Sequence, residues 1–138
     1  MTPLDDLFAR RLERDICRLR TLGGRCFPSR YERDLLVYLS FVYNRYGGLR
    51  RRKWARQGAK VLTSLCKLPA RRDRHPIRAI IDASTSPSAD AKAKSRATQA
   101  LRYAWRQRGE WDDIVEFIQQ NGGVAGCAAK FAQAKHGR

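Results

Sequence analysis

Apolar residues recur at helical spacing through most of this chain, and glycine pairs, prolines and a serine-rich segment interrupt them. The first such stretch starts at Thr2-Pro3, residues that suit the N-cap and first turn of a helix. Its leucines and Ile16 fall on one side of a helix with 3.6 residues per turn. The pattern predicts an amphipathic first helix that ends at Gly23-Gly24.

The second stretch has almost no polar face. Ser29 and Glu32 have the spacing of a capping box, which predicts the start of a helix. Apolar side chains then dominate nine consecutive positions, and Gly47-Gly48 is expected to end the helix. A helix that is apolar on all sides is buried. Residues 30–46 are therefore predicted to form the centre of the fold or the interface of a homodimer.

Two longer stretches, 49–67 and 88–108, are each predicted to form a helix with one apolar and one basic face. On the first the basic row is Arg52, Arg56, Lys60 and Lys67, and on the second it is Lys92, Arg96, Gln99, Arg102 and Arg106. Alanines dominate the apolar face of the second stretch, and such small side chains allow helices to approach closely. The two basic faces are expected to lie on a common surface.

Shorter helices complete the pattern. One is predicted to begin at Pro76, and two more are predicted to form a hairpin over residues 111–134, with glycines in its turn. The sequence contains no strand-like alternation of apolar and polar positions. We therefore predict an all-α fold, a compact bundle of six or seven helices with residues 30–46 at its centre.

The length of 138 residues suits a single domain, 1–138. Segment 84–88 has the serine and proline content of a loop. It is the candidate hinge if the domain consists of two lobes, 1–68 and 76–134.

The net charge of +16 is concentrated in the middle of the chain. Residues 45–108 carry eighteen cations and three acids, whereas residues 1–44 and 109–138 are close to neutral. Most cations are arginine, 22 of 29, and arginine binds phosphate with two parallel hydrogen bonds. A basic surface that served solubility alone would be spread more evenly, so the distribution indicates a localised site for a polyanion.

The basic rows and the loop between them supply the candidate nucleic-acid contacts. These are Arg50, Arg51, Arg52, Lys53, Arg56, Gln57, Lys60, Arg71, Arg72, Arg74, Lys92, Lys94, Arg96, Gln99, Arg102 and Arg106. The arginines and lysines are expected to contact phosphates, and a glutamine can read the edge of an adenine. The alternative for each row is a face that only water contacts.

The C-terminal segment WDDIVEFIQQNGGVAGCAAKFA resembles in outline the first two helices of a helix-turn-helix, including the glycine in the turn. This resemblance implies a recognition helix, but the second helix would offer only Lys130 as a cation. An antiparallel hairpin that closes the core or mediates dimerisation is the favoured interpretation.

Other chemistry has little support in the sequence. Asp112, Asp113 and Glu116 could hold Mg²⁺ in a nuclease, but acids at the start of a helix also complement its dipole. The four cysteines lack the spacing of a metal site and are expected to be free, buried thiols. We predict no catalytic residue, no metal and no cofactor.

The sequence therefore favours a non-enzymatic, bacterial DNA-binding protein that is regulatory or organises DNA. Alternatives are a protein that binds RNA, with Trp105 or Tyr103 stacking on unpaired bases, and a module that binds an acidic protein. A homodimer through 30–46 or 111–134 is a further hypothesis. No stretch has the length and apolarity of a membrane span, so the cytoplasm, in association with the nucleoid, is the expected location.

Overall fold

The computed structural model describes residues 3–26, 32–51, 53–66, 68, 74–86, 89–109 and 113–136. Within these residues the chain forms seven helices and no strand, which confirms the predicted all-α bundle. The helices are α1 (Pro3–Cys26), α2 (Glu32–Arg51), α3 (Ala55–Leu65), α4 (Pro76–Ser84), α5 (Ala91–Arg108), α6 (Ile114–Gln120) and α7 (Gly123–His136). One cluster of buried apolar side chains extends from α1 to α7.

The short helix α4 is the most enclosed element of the bundle. Pro76 provides its first turn, and Nδ1 of His75 accepts a hydrogen bond from the backbone N–H of Ile77, so its N-terminus is capped. It contacts α1, α2, α3 and α5. Ile77, Ile80 and Ile81 are fully buried, which anchors the four neighbouring helices to a common core.

Helix α2 shares the centre with α4 but is not buried on all sides. Leu36, Leu39 and Tyr43 are in the core, whereas Val37 is 39% exposed and Phe41 is 46% exposed. The prediction that 30–46 is apolar and buried all round is therefore wrong for this side of the helix. The reason is that the helices in contact with α2, which are α1, α3, α4, α5 and α6, leave Val37 and Phe41 uncovered among the described residues.

Neither of the glycine pairs predicted to end helices does so. Gly23-Gly24 lies inside α1, and Gly47-Gly48 lies inside α2. Gly23 is buried against α4, where a Cβ atom would overlap the carbonyl oxygen of Ser84. This glycine therefore serves close backbone approach between two helices and does not terminate one.

Helix α2 ends instead in a turn that contains a lysine where glycine is usual. Lys53 has a φ of +60°, and its N–H donates to the carbonyl of Arg50 over 3.0 Å. The N–H of Trp54 donates to the carbonyl of Leu49 over 2.8 Å. These two bonds define a Schellman motif, which satisfies the last carbonyls of α2. The predicted helix 49–67 is consequently divided between the end of α2 and a separate α3.

The C-terminal half has the predicted helical hairpin. Asp90 caps α5, Asp113 caps α6, and Gly109 ends α5 with a φ of +62°. Gly122 and Gly123 turn the chain with φ values of +91° and +76°, which other residues rarely adopt. Helix α7 then lies along α5, where Ala97, Ala100 and Ala104 are buried as the alanine pattern predicted.

Residues 84–86, the first part of the predicted hinge, are held by hydrogen bonds. The hydroxyl groups of Ser84 and Tyr38 are bonded to each other, and Thr85 donates to the carbonyl of Ile81. Residues 87 and 88 lie outside the described residues. The division into two lobes stays a prediction.

A single carboxylate, that of Asp82, forms ion pairs with three enclosed cations. Its oxygens lie 2.9 Å from Nε of Arg78, 3.3 Å from Nε of Arg74 and 3.8 Å from Nζ of Lys94. Arg74 also donates to the hydroxyl of Thr63 in α3, and Lys94 belongs to α5. The Asp82 cluster therefore ties α3, α4, α5 and the chain before α4 together.

We predict opposite effects for two glycine-to-alanine substitutions inside helices. Gly23→Ala should lower the free energy of unfolding by about 1–3 kcal/mol, because the added Cβ overlaps backbone of α4. Gly48→Ala should raise it by about 1 kcal/mol, because its Cβ meets nothing within 4 Å and alanine favours the helix. Urea denaturation of both variants measures the difference. Equal stabilisation in both would show that α1 and α4 are not in close contact at Gly23.

We also predict that Asp82→Asn lowers the free energy of unfolding by about 3–5 kcal/mol, because it leaves enclosed cations without their carboxylate. The matched control is Glu13→Gln, which removes the same charge from an exposed position of α1 and should change stability by at most about 0.5 kcal/mol. Similar small effects in the two variants would contradict a stabilising role for the Asp82 cluster.

Candidate nucleic-acid interface

Three arginines from α2 and α5 meet on one surface, and we call them the arginine cluster. Arg50 is in the last turn of α2, and Arg102 and Arg106 are one turn apart on α5. The Cζ atom of Arg50 lies 5.9 Å from the centre of the Trp105 ring. Those of Arg102 and Arg106 lie 4.9 and 4.8 Å from the centre of the Phe131 ring in α7. Aromatic faces attract guanidinium groups, so these rings help to hold the three side chains in place.

The aromatic rings beneath the cluster are packed against one another. Trp105 lies 4.9 Å from Tyr46 and 5.5 Å from Tyr43, measured between ring centres. Tyr43 also donates a hydrogen bond to the carbonyl oxygen of Gly109. The rings that Trp105 contacts are therefore side chains of its own chain, one edge-to-face and one tilted, and this surface presents guanidinium groups above an aromatic layer.

Burial and these cations together shift the pKa values of the neighbouring groups, and burial has the larger effect. The pKa of His75 is lowered from 6.5 to about 4, first by burial and then by the positive charges of Arg102 and Arg50. The pKa of Arg102 is itself lowered by burial and by the charge of Arg106, with Tyr46 acting in the opposite direction. Burial raises the pKa of Tyr46, and Arg50 and Arg102 oppose that rise. Two helices thus concentrate positive potential around the N-terminus of α4.

None of the three cluster arginines forms an ion pair with an acid among the described residues. Arg50 and Arg106 are exposed, and Arg102 is half-buried. Like charges held together repel each other, and the interaction grows where water is partly excluded. The cluster is thus suited to an external anion.

Most of the other predicted contacts are on the surface of the described structure. The exposed ones are Arg51, Lys53, Arg56, Gln57, Lys60, Lys92 and Arg96, while Gln99 is half-buried. Lys92 and Arg96 precede Arg102 and Arg106 on one face of α5. Arg56 and Lys60 are on α3, which does not touch α5 within the described residues. The cation that lies beside the basic row of α5 is instead Arg50 of α2. A common surface formed by the basic faces of α3 and α5 stays a prediction.

Two predicted contacts do not fit the surface role. The side chains of Arg74 and Lys94 are each only 6% exposed and are paired with Asp82. Lys94 also donates to the carbonyl of Ser86. The sequence predicted both as nucleic-acid contacts, because sequence alone does not show which lysine and arginine side chains point into the protein. Arg52, Arg71 and Arg72 lie outside the described residues.

The carboxylates and thiols considered for other chemistry occupy separate places. Asp113 accepts a hydrogen bond from the N–H of Glu116 at the start of α6, and Asp112 lies outside the described residues. Cys127 is buried, and burial raises the pKa of its thiol, while Lys130 opposes that rise. Cys17 is exposed, so the prediction of a buried thiol is wrong there. No group of three or more potential metal ligands occurs among the described residues.

Sequence reasoning missed one feature of this surface and one of α1. It did not place His75 or Tyr46 beside the arginines of α2 and α5, because nothing in a linear pattern shows that the N-terminus of α4 lies next to those helices. It also passed over Arg11, Arg14 and Arg18 of α1, because nearby acids made residues 1–44 nearly neutral. Their i, i+3, i+7 spacing was a usable signal, since it places them on one face of a helix.

No family model matches this chain, and no curated protein or solved structure is similar enough to match it. Among the described residues, no helix combines the length and the apolar character needed to cross a bilayer. The candidate interface is therefore defined by its own geometry and charge.

We predict that His75 makes the stability of the protein depend on pH between about 6.5 and 4. The imidazole takes up a proton near pH 6.5 in the unfolded chain but only near pH 4 in the folded one, so stability falls as pH falls through this range. In His75→Asn, asparagine can cap α4 without titrating. Between about pH 7 and pH 4.5, the wild type should lose about 2 kcal/mol more than this variant in urea denaturation. Equal losses would contradict the shifted pKa of His75.

Proposed function

We propose that this protein binds nucleic acid, with duplex DNA as the favoured partner, through phosphate contacts made by the arginine cluster and the basic face of α5. The role is non-enzymatic and suits a regulatory or DNA-organising protein. The observation that carries the proposal is the convergence of Arg50, Arg102 and Arg106 without an acidic partner among the described residues.

The free energy of this arrangement supports the proposal. Holding three guanidinium groups together costs electrostatic free energy, which a bound polyanion would offset. The rings of Trp105 and Phe131 hold the arginines in defined positions, so less side-chain entropy is lost when phosphate binds. Release of condensed counterions from the nucleic acid then supplies much of the affinity.

The length of the basic face suits a phosphate backbone. Lys92 and Arg106 are fourteen residues apart on α5, which corresponds to about 21 Å along the helix axis. One strand of duplex DNA carries a phosphate about every 3.4 Å of its axis. Several phosphates therefore fit along α5 and the arginine cluster.

The aromatic layer favours a duplex over unpaired bases at this surface. Trp105 packs on Tyr43 and Tyr46, and Tyr103 lies 6.0 Å from the ring of Phe117. Proteins that bind single strands usually offer aromatic faces on which bases can stack. A surface of guanidinium groups over packed rings is better suited to the backbone of paired strands.

The test is fluorescence anisotropy of a labelled, random-sequence DNA duplex across a series of salt concentrations. If six phosphates are neutralised, a plot of the logarithm of the binding constant against the logarithm of the salt concentration should have a slope of about −5. In Arg50→Gln/Arg106→Gln the magnitude of that slope should fall by about two, with weaker binding at every salt concentration.

The control is Arg10→Gln/Arg33→Gln, which removes the same charge from exposed positions of α1 and α2. Arg33 stands seventeen residues before Arg50 in α2, about 25 Å along the helix. Equal losses in the two double variants would mean that net charge alone attracts the DNA, and the proposal would fail. Tighter binding of single-stranded RNA than of duplex DNA at the same salt concentration would show that RNA is the preferred partner. Binding of an acidic protein that resists nuclease treatment would favour the alternative of an interaction module for an acidic protein.

A further inference from the structure

A groove between α1 and the C-terminal half of α2 forms a cavity of about 560 Å³. It is separate from the arginine cluster and is lined by none of the cluster residues. Its volume is in the range of small-molecule and cofactor sites, which is about 300–1,000 Å³. Its lining combines arginine side chains with apolar and aromatic ones, so the groove has the character of a binding site for an amphiphilic ligand.

The charged part comes mainly from α1. Arg11, Arg14 and Arg18 line the groove at i, i+3, i+7 spacing, and all three are exposed. Among the described residues none of them has an ion-pair partner. The acid that lines the groove, Asp15, is paired with Arg45 of α2 at 3.0 Å. The three arginines thus leave an uncompensated positive field over the groove.

The apolar part lies beside these arginines. Phe8 and Trp54 are in edge-to-face contact, with ring centres 4.7 Å apart, and Leu12 and Leu49 also line the groove. Phe8 and Trp54 are only partly buried. An aromatic ligand ring in the groove would therefore meet apolar and aromatic side chains on the same wall.

Gly48 keeps the α2 side of the groove open. It lines the cavity, and a Cβ atom at this position would meet nothing within 4 Å. Glycine is unfavourable inside a helix by about 0.5–1 kcal/mol relative to alanine. A larger side chain here would project into the groove.

We propose that this groove binds a nucleoside phosphate, with the phosphates on Arg11, Arg14 and Arg18 and the base against Phe8 and Trp54. Guanidinium groups bind phosphate oxygens with charge-assisted, often bidentate, hydrogen bonds. The apolar wall accounts for the base, because phosphate alone needs no aromatic contact. The inference does not rest on duplex binding by the arginine cluster, since the two sites use different residues.

The test uses ATP and inorganic tripolyphosphate with the full chain, measured by isothermal titration calorimetry without divalent ions. Tripolyphosphate has the same phosphates but no base. ATP should bind at least about tenfold more tightly than tripolyphosphate, which is a difference that stacking and apolar contact can supply. Equal affinities would overturn the assignment of a nucleoside.

Arg14→Gln/Arg18→Gln should weaken ATP binding by about tenfold or more, because it removes two charge-assisted contacts. The exposed pair Arg10→Gln/Arg33→Gln, which does not line the groove, should leave it unchanged. Loss of ATP binding in Arg50→Gln/Arg106→Gln, with none in Arg14→Gln/Arg18→Gln, would place the anion at the arginine cluster and overturn the groove assignment without affecting the proposed DNA binding.

Gly48→Leu provides a test that leaves the charge unchanged. Leucine favours a helix, and its side chain would project into the groove from α2, so ATP binding should be weakened while the thermal midpoint of unfolding is maintained or raised. Unchanged ATP affinity in this variant would contradict the site.

Competition between ATP and a single-stranded oligonucleotide with a 5′-phosphate identifies the source of the nucleotide. Displacement of ATP by the oligonucleotide shows that the groove binds the end of a strand. No displacement shows that it binds a free nucleotide.

Discussion

The ion-pair cluster around Asp82 is the interaction on which the rest of the structure depends. One carboxylate pairs with cations from α4, from α5 and from the chain that precedes α4, at the place where four helices meet the most buried element. Removing cations from water is costly unless they are paired. The same pairing separates the positive charges of the chain into two groups: Arg74, Arg78 and Lys94 stabilise the interior, and the exposed arginines of α1, α2 and α5 remain for other partners.

Hydrophobic periodicity was enough to predict the fold class and most of the helices, because the apolar stripe of each helix must be buried whatever it packs against. It was not enough for helix ends. Gly23 lies in mid-helix because α4 approaches it closely, and this contact is invisible in a linear pattern. α2 ends at Arg51, and Lys53 in the turn that follows has a left-handed conformation that a lysine rarely adopts, so the residue types here did not predict the end of the helix.

The candidate surface was predictable in composition but not in arrangement. The row on α5 followed from spacing alone, whereas the approach of Arg50 to Trp105 depends on α2 continuing through Gly47-Gly48. A helix that stopped at the glycines would have left Arg50 at the start of a different helix. The burial of the Lys94 side chain could not be predicted from the sequence either, since its partner Asp82 is twelve residues away and on another helix. Tertiary contacts, not local preferences, decide these positions.

The C-terminal end of α2 connects the two proposed sites. Successive residues of a helix point about 100° apart, so Arg50 can join the arginine cluster while its neighbour Arg51 lines the groove with α1. The extension of α2 past Gly48 therefore has two consequences. It places Arg50 beside α5 and Arg51 beside α1, and Gly48 leaves the groove open. Because Arg50 and Arg51 are adjacent in the last turn of α2 and carry charges of the same sign, each raises the positive potential at the other, and an anion bound at either site reduces the repulsion between them.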